Sequence, residues 1–399
     1  MTAVLYSAFI SLVPFVVMIS LIVTIHELGH FLTGKIFGVA IDRFSLGFGR
    51  LFGWRDRSGV EWCLGWLPLG GYVKFAGDEN AASLQGDLEG LRASIQAREG
   101  VGAEMRYLAF KPIWQRCLII LAGPAANFVL AIAIFSAFFL TFGEQITVAK
   151  VASVVPGGAA QRAGFQQGDL ILAADGHRLR SFEDVQFYVE YRPAQAIDFT
   201  VRRGAGLTHI EVAPDKAEEK SLFGGTQTVG RLGVGATDSA LRKVTVFEAL
   251  GEGVRHTWDV GAATAFALGR IVTGQMGFDQ MHSVVGMVVA SGAITQQAIA
   301  TAHAAKVSWL FAEVFFLSQL AAIMSVSIGL LNLLPIPTLD GGHLVFYAYE
   351  WVAKRPAAAK VQAAGFRAGL ALLLGLMVFA TWNDIERLRL FRFLGSLFS

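Results

Sequence analysis

Two histidines four residues apart, with a glutamate beside the first, stand in the stretch His26-Glu27-Leu28-Gly29-His30. On a helix, residues four apart share a face, so both imidazoles can reach one metal ion. Glu27 is offset from that face, three residues before His30, where its carboxylate can take a proton from a water activated by zinc. No charge interrupts Leu5 to Ile25, and a run of about 20 apolar residues is long enough to cross a bilayer. Water-activating chemistry inside a bilayer implies that the substrate is there too. The competing reading is a histidine pair satisfied by helix packing. Two imidazoles and a carboxylate at membrane depth are expensive, and they mark function by default.

A catalytic zinc needs a third protein ligand and an open position. Asp340 is the candidate, in Asn332-Leu-Leu-Pro335-Ile-Pro337-Thr-Leu-Asp340-Gly341-Gly342. The two prolines cannot continue a helix and remove two backbone donors. Asn332 can bond carbonyls left unpaired there, and broken helices are tolerated at membrane depth where they line a cavity. The alternative is a helix stop followed by an Asp-Gly turn. His343 and Glu313 are competing ligands, or polar residues facing a bundle.

These groups must be held by membrane helices. The 399 residues are 54% hydrophobic and 16% charged, against about 25% charged in ordinary soluble domains. Four apolar segments stand out, about 5–33, 117–142, 308–334 and 364–382. The first 25 residues have no basic leader region and no small-residue cleavage site, so they read as a retained helix. Basic residues crowd the loop after the first segment, from Lys35 and Arg43 to Lys111 and Arg116. The positive-inside rule puts that loop in the cytoplasm and both termini outside, although Arg387, Arg389 and Arg392 oppose the last placement. A net charge of +2 gives no nucleic-acid footprint. Cys63 and Cys117, the only cysteines, suggest neither a disulfide framework nor a thiolate cage.

Between the spans, 41–75 reads as hairpins with an apolar face near the membrane, since Phe44, Leu46 and Phe48 alternate with Ser45 and Gly47. Residues 76–105 are polar and read as a loop or short helix. Gly47-Phe48-Gly49 and Leu69-Gly70-Gly71 are either hairpin turns or a strand edge that pairs with an extended substrate. Gly123-Pro124-Ala125-Ala126-Asn127-Phe128 offers small residues for tight packing against the first helix. Residues 146–214 suggest a soluble β-rich module, with a helix near Ser181–Tyr191 and a strand at Ile197–Arg202. Residues 240–305 read as amphipathic or surface-lying helices. A fifth span near 285–305 is interrupted by Ser291, Thr295, Gln296 and Gln297. His177, His209, His256, His282 and His303 read as surface or packing residues.

HELGH in the first span, NLLPIPTLDGG after the third, LPLGGYVKF and GPAANF together resemble the site-2 protease family of intramembrane zinc metalloproteases, of the bacterial regulator of sigma-E protease type. The resemblance covers nearly the whole chain. It implies one zinc per chain, bound by His26, His30 and Asp340, with Glu27 as base and Asn332 handling substrate. It makes 146–214 similar to a PDZ domain, through PGGAAQRAGFQQGDLILAADG, and Gly47-Phe48-Gly49 similar to the family's membrane-associated hairpin. The implied architecture is a polytopic α-helical membrane protein of about four spans, with a membrane-associated β-hairpin region and one inserted soluble PDZ domain. Its parts are a catalytic core over 1–145 and 308–399, a PDZ domain with linker over 146–235, and a surface helical region over 236–307. Many relatives carry two tandem PDZ domains, whereas about 95 residues here leave room for one. Met281-His282-Ser283-Val284-Val285-Gly286 also departs from the Gly-Pro-Ile pattern common before the third core span.

The implied activity is cleavage of single-pass transmembrane segments in the bacterial inner membrane, with anti-sigma factors and remnant signal peptides as substrates. The active site would face the cytoplasm and the PDZ domain the periplasm. Membrane lipid and a peptide C-terminus at the PDZ domain would be further partners; nucleic acid would not. Two rivals are a membrane scaffold with a vestigial metal site and a metal transporter. An intact Glu27 argues against the first. The few grouped ligands argue against the second.

Overall fold

Long apolar stretches become helices because a chain in lipid must satisfy its backbone internally. A computed structural model describes residues 2–77, 88–179, 181–220, 226–236, 240–273, 284–305 and 308–387. In chain order the elements are α1 (Thr2–Ile36), β1 (Ile41–Phe48), β2 (Phe52–Arg55), β3 (Glu61–Leu64), β4 (Leu67–Phe75), α2 (Leu88–Glu99) and α3 (Ile113–Phe142). Next come β5 (Glu144–Ile146), β6 (Val151–Val154), α4 (Ala159–Ala163), β7 (Leu170–Ala174), β8 (His177–Arg178), α5 (Phe182–Glu190), β9 (Ile197–Arg203) and β10 (Gly206–Val212). Strands β11 (Asp215–Lys220), β12 (Thr226–Arg231), β13 (Val234–Ala236) and β14 (Ala240–Arg242) follow. The chain continues with α6 (Val246–Val272), α7 (Val284–Ala305), α8 (Trp309–Asn332), α9 (Asp340–Ala353) and α10 (Ala359–Arg387). It divides into two units, one of Met1–Phe135 with Leu250–Glu386 and one built on Ser136–Ala249.

Among the described residues, four helices are long and apolar enough to cross a membrane: Ser11–Ile36, Ile113–Phe142, Trp309–Asn332 and Ala359–Ile385. They fall on the four segments expected from hydropathy. In place of surface-lying helices throughout 240–305, α7 packs against α1 and α8. Its Ala290, Ser291 and Ala298 are fully or almost fully buried, and Ile294 joins Phe15, Met18, Ile22, Leu320 and Met324 in one cluster. Of the four residues that interrupt its apolar run, Ser291 and Thr295 face this interior, and Gln296 and Gln297 are exposed. Of the departure at Met281–Gly286, residues 281–283 lie outside the described residues, as do Arg389 and Arg392, and Val284–Gly286 open α7.

Residues 41–75 form one four-stranded sheet in the order β2-β3-β1-β4 rather than separate hairpins. Strand β1 pairs parallel with β3, Phe44 opposite Trp62, and antiparallel with β4, Phe44 opposite Val73. The alternation seen in sequence has its reason here. Phe44 is buried against Phe31 of α1 at a ring separation of 5.3 Å, with Trp62 beside both. The sheet is thereby anchored to the turn of α1 that follows His30.

The second unit has its own core. Ile197, Phe199 and Val201 are fully buried and alternate with outward residues, the period expected of a half-buried strand. They sit in an antiparallel sheet of order β10-β9-β7-β8. Helix α5 begins at a reciprocal capping box between Ser181 and Asp184. Strand β13 returns from beyond position 214 to pair with β6, Val234 opposite Val154. Asp169 is buried and accepts two 2.8 Å bonds from the Arg203 guanidinium, plus the Gln166 N–H.

The Arg203 bonds hold the Asp169 carboxyl below its ordinary value of 3.8, although burial opposes the shift. A depressed folded value stabilises above the unfolded one, and that stabilisation is lost as pH falls through the folded value. Protease resistance of 136–249 in the full-length protein is therefore expected to decline below about pH 3.8. The Asp169→Asn variant should be weaker at neutral pH and show less of this decline. Identical acid profiles for both proteins would remove the pair as its cause.

Candidate metal centre and active site

Helical spacing brings His26 and His30 together on α1, and the bend after α8 brings Asp340 to them. The two Nε2 atoms are 3.2 Å apart. Asp340 Oδ2 lies 3.1 Å from His26 Nε2 and 3.5 Å from His30 Nε2. Among the described residues this is the group of three metal-ligating side chains that converge on one point. Ligands about 2.0–2.1 Å from a tetrahedral ion stand about 3.3 Å from one another. The donor set therefore fits a zinc ion, with both imidazoles buried.

The rings are held from behind. His30 Nδ1 donates to the Ile119 carbonyl at 2.8 Å, which fixes the tautomer whose Nε2 lone pair is free. His26 Nδ1 meets the Asn127 side-chain amide at 3.2 Å. Metal binding through Nε2 puts the proton on Nδ1, so Asn127 must present its oxygen to it. Asn127 is fully buried and its Oδ1 has no other partner among the described residues, so this orientation gives the His26 Nδ1–H an acceptor.

Close approach of backbones makes room for the rings. A Cβ on Gly123 would overlap the imidazoles of His30 and His26, and one on Gly29 would overlap the Ala122 carbonyl. The small residues of Gly123–Ala126 thus admit two imidazoles between α1 and α3. The Asp340 side is equally tight. A Cβ on Gly341 would meet the Leu333 and Leu334 carbonyls, and one on Gly342 would meet Ile336 and Pro337. The proline-containing loop folds back over the first turn of α9, and Asp340 opens that helix instead of sitting in a turn. Arg116 of α3 grips Glu350 of α9 with two bonds of 3.0 and 2.6 Å and lies over the Tyr347 ring. This buried fork ties the helix that begins with Asp340 to the helix that carries Gly123.

Glu27 lines a cavity of about 650 Å³ together with His26, His30, Asn332, Asp340 and His343. Its Oε2 accepts the Val73 N–H of β4 at 3.1 Å. Gly71 lies against Glu27 Cγ at a distance that an added Cβ would reduce to 3.4 Å. Asn332 Nδ2 is 3.3 Å from His26 Nε2. His343 lines the cavity outside the ligand group. Glu313 lies near the opposite end of α8 and accepts the Thr295 hydroxyl at 2.7 Å. Gly47 and Phe48 close β1 beyond its last pair with β3, Leu46 opposite Leu64, and Phe48 pairs with Leu67 of β4. The sheet edge nearest Glu27 is instead that of β4. Sequence reading passed over Asn127, whose motif was read only as packing. It also passed over the Arg116–Glu350 fork, whose partners share no local pattern.

The profile of Peptidase family M50 matches residues 14–376. The chain belongs to this family. It is 47% identical over 394 residues to the metalloprotease MmpA of Caulobacter vibrioides, covering 98% of this chain and 99% of that protein. A protein of Agrobacterium fabrum named as a zinc metalloprotease is 42% identical, with 94% and 96% covered. Another, of Rhizobium meliloti, is 38% identical, with 93% and 95% covered. The M50 chain described here is a membrane metallopeptidase of the site-2 type, which sets the scaffold and transporter readings aside.

Removing a group that orients a ligating histidine typically costs about 10–100-fold in metal affinity or activity. Asn127→Leu is expected to fall in that range, with bound metal measured directly by elemental analysis. Full metal content and full activity in a folded Asn127→Leu protein would show that His26 needs no such partner.

Proposed function

We propose that this M50 chain is an intramembrane zinc endopeptidase that cuts transmembrane segments of single-pass proteins. The convergence of His26, His30 and Asp340 beside Glu27, on a membrane-length helix, carries this reading. A zinc ion held by those three side chains supplies the Lewis acidity that polarises a peptide carbonyl and acidifies water. Glu27, oriented by the Val73 N–H, takes the proton of the attacking water and delivers it to the leaving amine. The Asn332 amide is placed to hydrogen-bond the substrate backbone beside His26.

An intact helix buries its amides in hydrogen bonds, so the substrate must unwind before attack. The edge of β4 offers compensation. A ladder uses alternate amides of a strand toward each side, and β4 has β1 on one side only. With the Val73 N–H taken by Glu27, an extended segment laid along Gly71–Phe75 gains main-chain bonds at the groups on either side of it, bonds that are costly to leave unmade in a dry site. The glycines at 47 and 49 then serve the sheet itself. Residues 146–235 act as a periplasmic PDZ domain that screens substrates and does no chemistry, a reading supported by their four-stranded sheet and two short helices. The resemblance further favours an inner-membrane location, a cytoplasm-facing site, and anti-sigma factors and remnant signal peptides as substrates.

Purified protein should hold about one zinc per chain, and Asp340→Ala should lower it. Glu27→Gln should keep the metal and abolish cleavage of a model transmembrane substrate. Turnover by Glu27→Gln at the parental rate would defeat this mechanism.

Cysteines placed along Gly71–Phe75 should crosslink to a bound substrate. Crosslinks confined to positions 47–49 would move the substrate to the other end of β1 and refute pairing along β4.

A further inference from the structure

A second cavity lies away from the metal centre, between the first half of α1, α7 and the start of α8. Its volume is about 960 Å³ and its lining is overwhelmingly apolar, including Val13, Val17, Leu21, Val314 and Leu317. One acid breaks that lining. Glu313 is 7% exposed. Its Oε1 accepts the Thr295 hydroxyl, and its Oε2 has no partner among the described residues. A carboxylic acid at membrane depth is costly unless something answers it. Neither the metal centre nor Glu27 uses this residue, since Asn332, which touches His26, stands at the other end of α8.

Position indicates the class of ligand. Ser308 caps α8, Trp309 follows it, and Trp309 is exposed. Tryptophan at the end of a spanning helix marks the headgroup level. Glu313 therefore sits one turn below that level, on the membrane face remote from His26. A lipid reaching this slot brings a polar head to the acid and an acyl chain to the valines and leucines. An oxygen without a donor calls for N–H groups. A phosphate or a glycerol phosphate brings negative charge instead, and a quaternary choline has no N–H to give.

We propose that this cavity is a binding site for an amine-bearing phospholipid, its ammonium drawn to the carboxyl of Glu313, which lines the slot, and one chain along Val13, Val17 and Leu317. The lipid would brace α7 against α1 and α8 as a structural ligand of the bundle.

Full-length protein in mixed nanodiscs, containing equal phosphatidylethanolamine, phosphatidylglycerol and phosphatidylcholine, is released and weighed by native mass spectrometry. Preferential retention of phosphatidylethanolamine is expected. A hydrogen bond to a charged group is worth enough that Glu313→Gln should reduce this retention roughly tenfold or more. Val17→Trp, which fills the slot and keeps the acid, should displace the lipid as well. Zinc content, measured on the same samples, should be unchanged in both variants. Equal retention of all three lipids, or undiminished phosphatidylethanolamine in both variants, would overturn the proposal. So would crosslinking of the Val314→Cys or Val17→Cys protein to a substrate helix in place of lipid.

Discussion

Two imidazoles and a carboxylate must come within about 3.3 Å of one another in a bundle where almost every other side chain is apolar. The rest of the first unit follows from that requirement. Imidazoles of neighbouring turns on α1 can meet only if the facing helix has no side chain there, and Gly123 supplies that gap. The carboxylate cannot come from the same helix, so α8 must stop and a second helix must start at Asp340. Glycines at 341 and 342 let the connecting loop fold down on that start.

The sheet of residues 41–75 solves a different problem. A helix alone gives Glu27 no fixed direction, because a glutamate has three rotatable bonds. The Val73 N–H at 3.1 Å provides that direction. It also means that the proton acceptor and the strand edge are one assembly. A shift of β4 along β1 would move the hydrogen-bond donor of Glu27 at the same time. The aromatic contacts of Phe31, Phe44 and Trp62 hold this register on α1.

Much of this was legible in the sequence, and the exceptions have physical causes. His26, Glu27 and His30 are separated by one helical turn, so spacing alone suffices. Span positions follow from twenty-residue apolar runs, which dominate local preferences in lipid. Strand Ile197–Arg203 shows its alternation directly. By contrast, the parallel pairing of β1 with β3 and the return of β13 to β6 depend on contacts distant in sequence. Helix α7 was misread because Ser291 and Thr295 look like surface residues until Glu313 is placed opposite. Asn127 was read as filler because its partner lies 101 residues away. Leu69-Gly70-Gly71 of β4 reads from sequence as a turn or a pairing edge, and turn residues do not tell which strand of the sheet has the open side.

The contact between Asn332 and His26 spans 306 residues of chain. During synthesis the histidines reach the membrane long before Asp340 is made. At about 5–20 residues per second, that interval lasts tens of seconds. Throughout it α1 carries two of the three donors, with neither the third nor the Arg116–Glu350 fork in place. The three-donor site can close only once the last sixth of the chain has been made, so the separation of the ligands fixes when the metal centre can form.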